Sequence, residues 1–120
     1  MLTAIDARMG EVYWAEYQRD AQGEWQGSET EQVLSPQQAQ QRMQQLSGAW
    51  VTAGTGWQTY PQLQQEHCLQ LTASDAELPC AADMLPLAIN QWRKGALSDV
   101  AAIEPVYLRN EVTWKKLPGR

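Results

Sequence analysis

The run Glu11–Arg19 constrains the fold more than any other part of the chain. Val12, Tyr13, Trp14, Ala15 and Tyr17 favour extended backbone, and they put apolar side chains on both faces of a strand. A strand of that kind needs cover above and below, so the run predicts a central strand of a layered sheet. Leu2–Arg8 reads as the strand before it. The two join at Met9-Gly10, where Gly10 can take the positive φ of a tight hairpin turn. Asp20-Ala21-Gln22-Gly23 is a turn. Trp25–Val33 reads as a third, more polar strand, weakened at Gly27 and suited to a sheet edge. The three make an antiparallel meander.

The periodicity then changes. Ser35-Pro36-Gln37-Gln38 is a helix start, with Ser35 as cap, Pro36 at the first position and Gln38 completing a capping box. Ala39, Met43 and Leu46 form one apolar stripe, glutamines coat the other face, and Gly48 marks the end. Ala49–Ala53 reads as a short buried strand with Trp50 and Val51 as its apolar members. Gly54-Thr55-Gly56 comes next, then a short helix around Pro61–Glu66 and a short strand at Leu69–Leu71. Ala81–Lys94 reads as the second strong helix. Met84, Leu85, Ala88, Ile89 and Trp92 are its expected buried face, Pro86 sits in its first turn, and Gly95 is its C-cap. Pro105–Leu117 reads as extended, with Val106, Leu108, Val112 and Trp114 on one side. The element order predicts an α/β domain with a mixed sheet that opens on an antiparallel meander and is packed by about three helices.

Composition bounds the function. The chain has 120 residues, 43% of them apolar and 19% charged, which suits one folded domain. A net charge of −5 argues against a general nucleic-acid binder, whose affinity rests on neutralising phosphates. Arg109, Lys115, Lys116 and Arg120 could still form a basic C-terminal strip, although a solvated tail is the favoured reading. No apolar stretch approaches a membrane span or a signal peptide, so the expected setting is the cytoplasm. Cys68 and Cys80 are too few for a disulfide scaffold and are expected to be buried, reduced thiols. Leu2 leads straight into a strand with no cap before it, which predicts a piece of a longer protein.

Two stretches carry a resemblance. Thr3-Ala4-Ile5-Asp6-Ala7-Arg8-Met9-Gly10-Glu11-Val12-Tyr13 and Glu104-Pro105-Val106-Tyr107-Leu108-Arg109 resemble the second lobe of the TsaB (YeaZ) family, of the glycoprotease-like group. The likeness extends over essentially the whole chain. It implies an RNase H-like lobe of the actin, Hsp70 and sugar-kinase type, and a two-lobed protein whose first lobe is absent here. It implies a non-catalytic scaffold or activator of the complex that adds threonylcarbamoyl to the adenosine beside the anticodon of tRNA. The implied partners are TsaD and TsaE, with tRNA contacted indirectly, and no cofactor. An uncovered interlobe face would make the fragment prone to self-association.

The same resemblance frames the candidate site. In active relatives of this fold a hairpin carrying an acid and several glycines holds phosphate through backbone N–H groups. Here Asp6 and Gly10 remain, while Arg8 and Met9 stand in the turn, so a degenerate, structural hairpin is favoured. Gly54, Thr55 and Gly56 stand where active relatives pack against adenosine. One GxG turn is a weak signal, and the expectation for it and for Trp57 is turn geometry and core. A nucleotide-binding, ATPase-like lobe is the alternative. A glycoprotease-like peptidase is disfavoured, because His67 is the single histidine and a zinc peptidase needs two on one helix face. His67 is expected at the surface or its boundary. Neither catalytic residues nor metal ligands are expected. Arg109, with Lys115 and Lys116, is the candidate partner or tail contact, and pairing of Arg109 with a local acid is the favoured reading.

Overall fold

The structure, a computed structural model, describes residues 1–109. Five strands form its central sheet: β1 (Leu2–Asp6), β2 (Val12–Glu16), β5 (Gln32–Leu34), β6 (Ala49–Ala53) and β7 (Gln70–Ala73). Two further short strands, β3 (Gln18–Arg19) and β4 (Trp25–Gln26), stand apart from it. The spatial order of the sheet is β5-β2-β1-β6-β7. β1 pairs antiparallel with β2, as Ala4 opposite Trp14 shows, and β2 pairs antiparallel with β5. β1 and β6 run parallel, as do β6 and β7. This is the mixed α/β sheet expected of an RNase H-like lobe.

The predicted third strand is not continuous. Its first residues, β4, leave the sheet to pair with β3 in a separate two-stranded ribbon. The chain then makes a 3-10 turn at Ser28–Thr30 and re-enters the sheet only as β5. Gly27 is the cause. Its φ is +120°, and a Cβ there would sit 2.0 Å from the Glu16 carbonyl oxygen. The chain crosses β2 so closely that only glycine fits.

Helix α1 (Pro36–Gln44) begins as its sequence requires. The Ser35 hydroxyl accepts from the Gln38 amide at 3.2 Å, and the Gln38 side chain accepts from the Ser35 amide at 2.9 Å. Ala39 and Met43 are buried and Leu46 packs beside them. They close a core with Leu2, Ala4, Val12, Trp14, Leu34, Trp50, Trp57 and Leu63. Trp57 belongs to α2 (Gly56–Thr59), a single helical turn after β6. The opposite face of the sheet is more open. Val51 is 44% exposed, so Trp50 and Thr52 are the buried members of β6, in keeping with the alternation of a strand.

One ionic contact ties α1 to the sheet. The Glu16 carboxylate, 8% exposed, accepts from Arg42 Nε and Nη2, each at 2.9 Å, and from Trp14 Nε1 at 3.0 Å. The bidentate geometry fixes both side chains and raises the affinity of Arg42 for its proton, chiefly through its hydrogen bond to Glu16.

Helix α3 (Met84–Arg93), preceded by a 3-10 turn at Ala81–Asp83, forms where expected and stops as expected. At Gly95, φ +67°, the Gly95 amide bonds Trp92 O and the Ala96 amide bonds Gln91 O, both at 3.0 Å, which is a Schellman ending. Its apolar face is not buried. Leu85, Ile89 and Trp92 are exposed, because no element among the described residues packs on them. Cys68 and Cys80 are likewise exposed rather than buried, since both fall in surface connections. Tyr107 and Val106 are exposed while Leu108 is half-buried near Tyr13. Val112 and Trp114 lie outside the described residues.

The Glu16–Arg42 pair gives a test. Arg42→Met leaves a largely buried carboxylate with only the Trp14 donor, and should cost about 2–3 kcal/mol in urea unfolding. Converting Glu16 to Gln in that background should recover much of the loss, because the stranded charge is gone.

Candidate functional site

The structure brings Asp6, Gly54, Thr55 and Gly56 together at the carboxyl ends of the parallel strands. β1 ends at Asp6 and β6 at Ala53, so the turns after them lie side by side. The Asp6 amide donates to the Thr55 hydroxyl at 3.1 Å. The Asp6 carboxylate accepts from the Arg8 amide at 3.0 Å, closing the turn locally, and from the Tyr60 hydroxyl at 3.5 Å. Burial first, and then the charge of Asp6, raises the Tyr60 phenol above its ordinary value of 10.0.

The glycines of the second turn serve close packing. Gly54 has φ +108°, and a Cβ on it would lie 2.2 Å from the Ala4 carbonyl oxygen; one on Gly56 would lie 2.8 Å from the same atom. The Gly54 amide is spent on the Ala76 carbonyl at 2.7 Å. α2 carries Trp57 into the core, 5% exposed, its ring 5.9 Å from that of Trp14 and its Nε1 bonded to the Ala53 carbonyl at 3.1 Å. Trp57 is thus occupied as a core side chain.

The hairpin between β1 and β2 has an unusual backbone. Arg8, Met9 and Gly10 all have positive φ, at 62°, 56° and 73°. Gly10 alone takes this conformation without a Cβ penalty, and a Cβ there would meet nothing within 4 Å. Two amides of the hairpin bond inward, Ala7 N to Glu11 O at 2.9 Å and Glu11 N to Arg8 O at 3.1 Å. Its carbonyls face Arg109. The guanidinium donates to Ala7 O at 3.0 Å and Arg8 O at 3.4 Å, and pairs with the Glu11 carboxylate at 2.5 Å. Two carbonyls turned to a guanidinium are the reverse of a phosphate cradle, which needs converging N–H groups. Glu11 is the acid that sequence reasoning left unnamed. Its place opposite Arg109 depends on a contact between the two ends of the described chain. Lys115 and Lys116 lie outside the described residues.

Beside the Gly54 turn lies a cleft of about 180 Å³, bordered by Thr52, Gln58, Gln64, Ser74 and Glu77. Ligand pockets run to roughly 300–1,000 Å³, so the cleft is small for a nucleotide. None of its lining residues is basic. His67 is half-buried, and its Nδ1 accepts from the Leu69 amide at 3.1 Å. Among the described residues no three His, Cys, Asp or Glu side chains gather as a metal site would require, and no helix is long and apolar enough to cross a membrane.

The glycine contacts and the Tyr60 environment can each be tested. Gly54→Ala should cost about 3 kcal/mol or more, because both φ and the Ala4 carbonyl oppose it, while Gly10→Ala should cost only about 1–2 kcal/mol. Thermal unfolding of the two variants in the absence of any ligand measures the difference. For Tyr60 the raised pKa means that the fold favours the neutral phenol. That stability is fully present below the ordinary value of 10.0 and is lost as pH rises through the higher folded value. Asp6→Asn should move the tyrosinate absorbance midpoint of Tyr60 down, with Tyr60→Phe identifying its contribution.

Comparison with known proteins agrees with this geometry. No protein-family model matches the chain. It is 59% identical over 120 residues to the tRNA threonylcarbamoyladenosine biosynthesis protein TsaB of Escherichia coli strain K12, covering 100% of this chain and 52% of that protein. It is 44% identical over 127 residues to the TsaB protein of Haemophilus influenzae, again covering 100% of this chain and 52% of the relative. A crystal structure from Pseudomonas aeruginosa, of a protein described as similar to peptidase YeaZ, superposes with a TM-score of 0.66 at 38% identity, covering 90% of this chain and 48% of that one. The chain spans about half the length of the curated relatives it matches. It is therefore homologous along its whole length to the TsaB (YeaZ) family and corresponds to a C-terminal part of its members.

Proposed function

We propose that this chain is the C-terminal lobe of a two-lobed, non-catalytic subunit of the apparatus that places threonylcarbamoyl on the adenosine beside the anticodon of tRNA. The observation that carries the reading is the 59% identity, along the entire chain, to a protein named for threonylcarbamoyladenosine biosynthesis. The state of the hairpin supports a role without chemistry. Its carbonyls are committed to Arg109, and the neighbouring glycines are committed to the Ala4 carbonyl. The subunit then works by complementary surfaces, with TsaD and TsaE as protein partners, tRNA contacted through the complex, and the cytoplasm as its setting. Arg109, with Lys115 and Lys116, stays the candidate contact at the C-terminal end.

The adjacency of Asp6 to the Gly54–Gly56 turn favours a second reading, a nucleotide-binding lobe of low affinity using Asp6, Gly10, Gly54, Thr55 and Gly56. Of these five residues only Gly54 borders the cleft beside the turn, and that weighs against it. Calorimetric titration with ADP separates the two. The scaffold reading expects no saturable heat up to about 1 mM ADP, a limit equivalent to about −4 kcal/mol of binding. Saturation well below that would favour the nucleotide reading. Light scattering after size exclusion, on this chain mixed with TsaD, then tests the partner directly. A mixed peak would place interface on this lobe, and its absence would move partner recognition to the other half.

A further inference from the structure

The cleft beside the Gly54 turn is built from a stretch of the chain that carries no positive side chain. Every residue bordering it lies between Thr52 and Glu77. No lysine or arginine occurs between Arg42 and Arg93, whereas Glu66, Asp75, Glu77 and Asp83 all fall there. Glu77 is the one charged residue in the lining. Its Oε1 accepts from Gln58 Nε2 at 3.3 Å, and its Oε2 has no partner among the described residues. Asp75 stands on the same loop, and the chain as a whole carries a net charge of −5. The field at the cleft therefore favours a cation.

The walls are held in place by bonds that also use up donors. The Ser74 amide and hydroxyl both donate to the Thr52 carbonyl, at 3.0 and 2.7 Å, and the Gly54 amide donates to the Ala76 carbonyl at 2.7 Å. The Ala76 amide donates to the Ser74 hydroxyl at 3.3 Å, and Trp57 Nε1 to the Ala53 carbonyl at 3.1 Å. These contacts pin the loop after β7 to the turn after β6. Gln64 Nε2 donates to the Trp57 carbonyl at 3.1 Å, so its amide oxygen, like that of Gln58, is the end left to accept. The Thr52 hydroxyl can serve either way. Leu71 and Ala73 supply an apolar wall between these groups. An engineered cavity of about 150 Å³ admits benzene, so the cleft, at about 180 Å³, has room for a ligand of about six heavy atoms.

We infer that this cleft is a binding site for a short primary alkylammonium, its charged end set against Glu77 and the amide oxygens of Gln58 and Gln64, and its carbon chain against Leu71 and Ala73. An ammonium brings donors and a positive charge to a wall that offers acceptors and a negative one. A four-carbon chain with its ammonium fits the volume. An anion would meet Glu77 with no countercharge in the lining, and a neutral alcohol would leave the carboxylate without an ionic partner. A free aliphatic amine and the lysine side chain of another protein present the same chemistry. The inference does not depend on the scaffold reading, since neither the β1–β2 hairpin nor the C-terminal segment borders the cleft.

Titration of isotope-labelled protein with n-butylammonium chloride at constant ionic strength tests it, read at the amide resonances of Gly54, Ala76 and Glu77. Those resonances are expected to shift saturably with a Kd of about 1 mM or tighter, which is within reach of a ligand of this size. n-Butanol and sodium butyrate are expected to give no saturable shift there. Glu77→Gln, an exposed substitution, should weaken n-butylammonium binding about tenfold. Ala73→Leu, which fills the apolar side, should abolish it, with the unfolding temperature of each variant checking that the fold is kept. No saturable shift with n-butylammonium, an equal response to n-butanol, or an unchanged Kd in Glu77→Gln would each overturn the inference. Nα-acetyllysine N-methylamide carries the same aminobutyl group on a peptide backbone. Binding of it with a similar Kd would identify a lysine side chain as the natural occupant, and binding of n-butylammonium alone would identify a free amine; either result upholds the site.

Discussion

Gly54 and Gly56 lie against the carbonyl of Ala4 at a distance that no side chain tolerates. This approach decides how β6 sits beside β1, and much of the remaining structure depends on it. With the two strands in parallel register, Thr55 reaches the Asp6 amide and α2 turns Trp57 inward against Trp14. Trp14 in turn shares Glu16 with Arg42, which brings α1 onto the sheet. The core is thus assembled from one backbone-to-backbone contact outward. Removing the glycines would disturb the sheet before it disturbed any ligand.

The same turns after β1 and β6 spend several of their polar groups within the chain. The Asp6 carboxylate closes its own turn, the Ala7 and Glu11 amides bond within the hairpin, and Arg109 meets the Ala7 and Arg8 carbonyls. The Ala7, Arg8 and Glu11 amides are thus satisfied within the hairpin. Strain at Arg8 and Met9, both in the left-handed region, is offset by these internal bonds. The same residues that look like a binding loop in sequence act here as a clasp between the start of the sheet and the C-terminal segment.

Surface and core divide along the chain. The part up to β7 buries most of its apolar residues, whereas Leu78 to Tyr107 exposes nearly all of them. Among the described residues the ion pairs Lys94–Glu24 and Arg109–Glu11 tie the second part to the first, with Leu108 half-buried near Tyr13. Exposed ion pairs contribute little stability and mainly set orientation. The arrangement suits a segment whose apolar contacts are made elsewhere.

Local chemistry by itself determined a good deal. The capping box at Ser35 and Gln38, the stripe Ala39–Met43–Leu46, the hairpin at Gly10 and the Schellman end at Gly95 are all set by neighbours a few residues apart, and all were legible. So was the pairing of the candidate residues with turns after β1 and β6. Tertiary structure decided what depends on distant partners. Gly27 broke the third strand because β2 lies 2.0 Å from where its Cβ would be, and Val51 faced outward because the register of β6 put Trp50 and Thr52 inside. Glu11 became the partner of Arg109 only through the meeting of two ends of the chain. The stripe on α3 was readable as apolar, but a pattern of side chains states only that a face seeks cover. Whether that cover exists within the same chain is a matter of which surfaces the fold brings together.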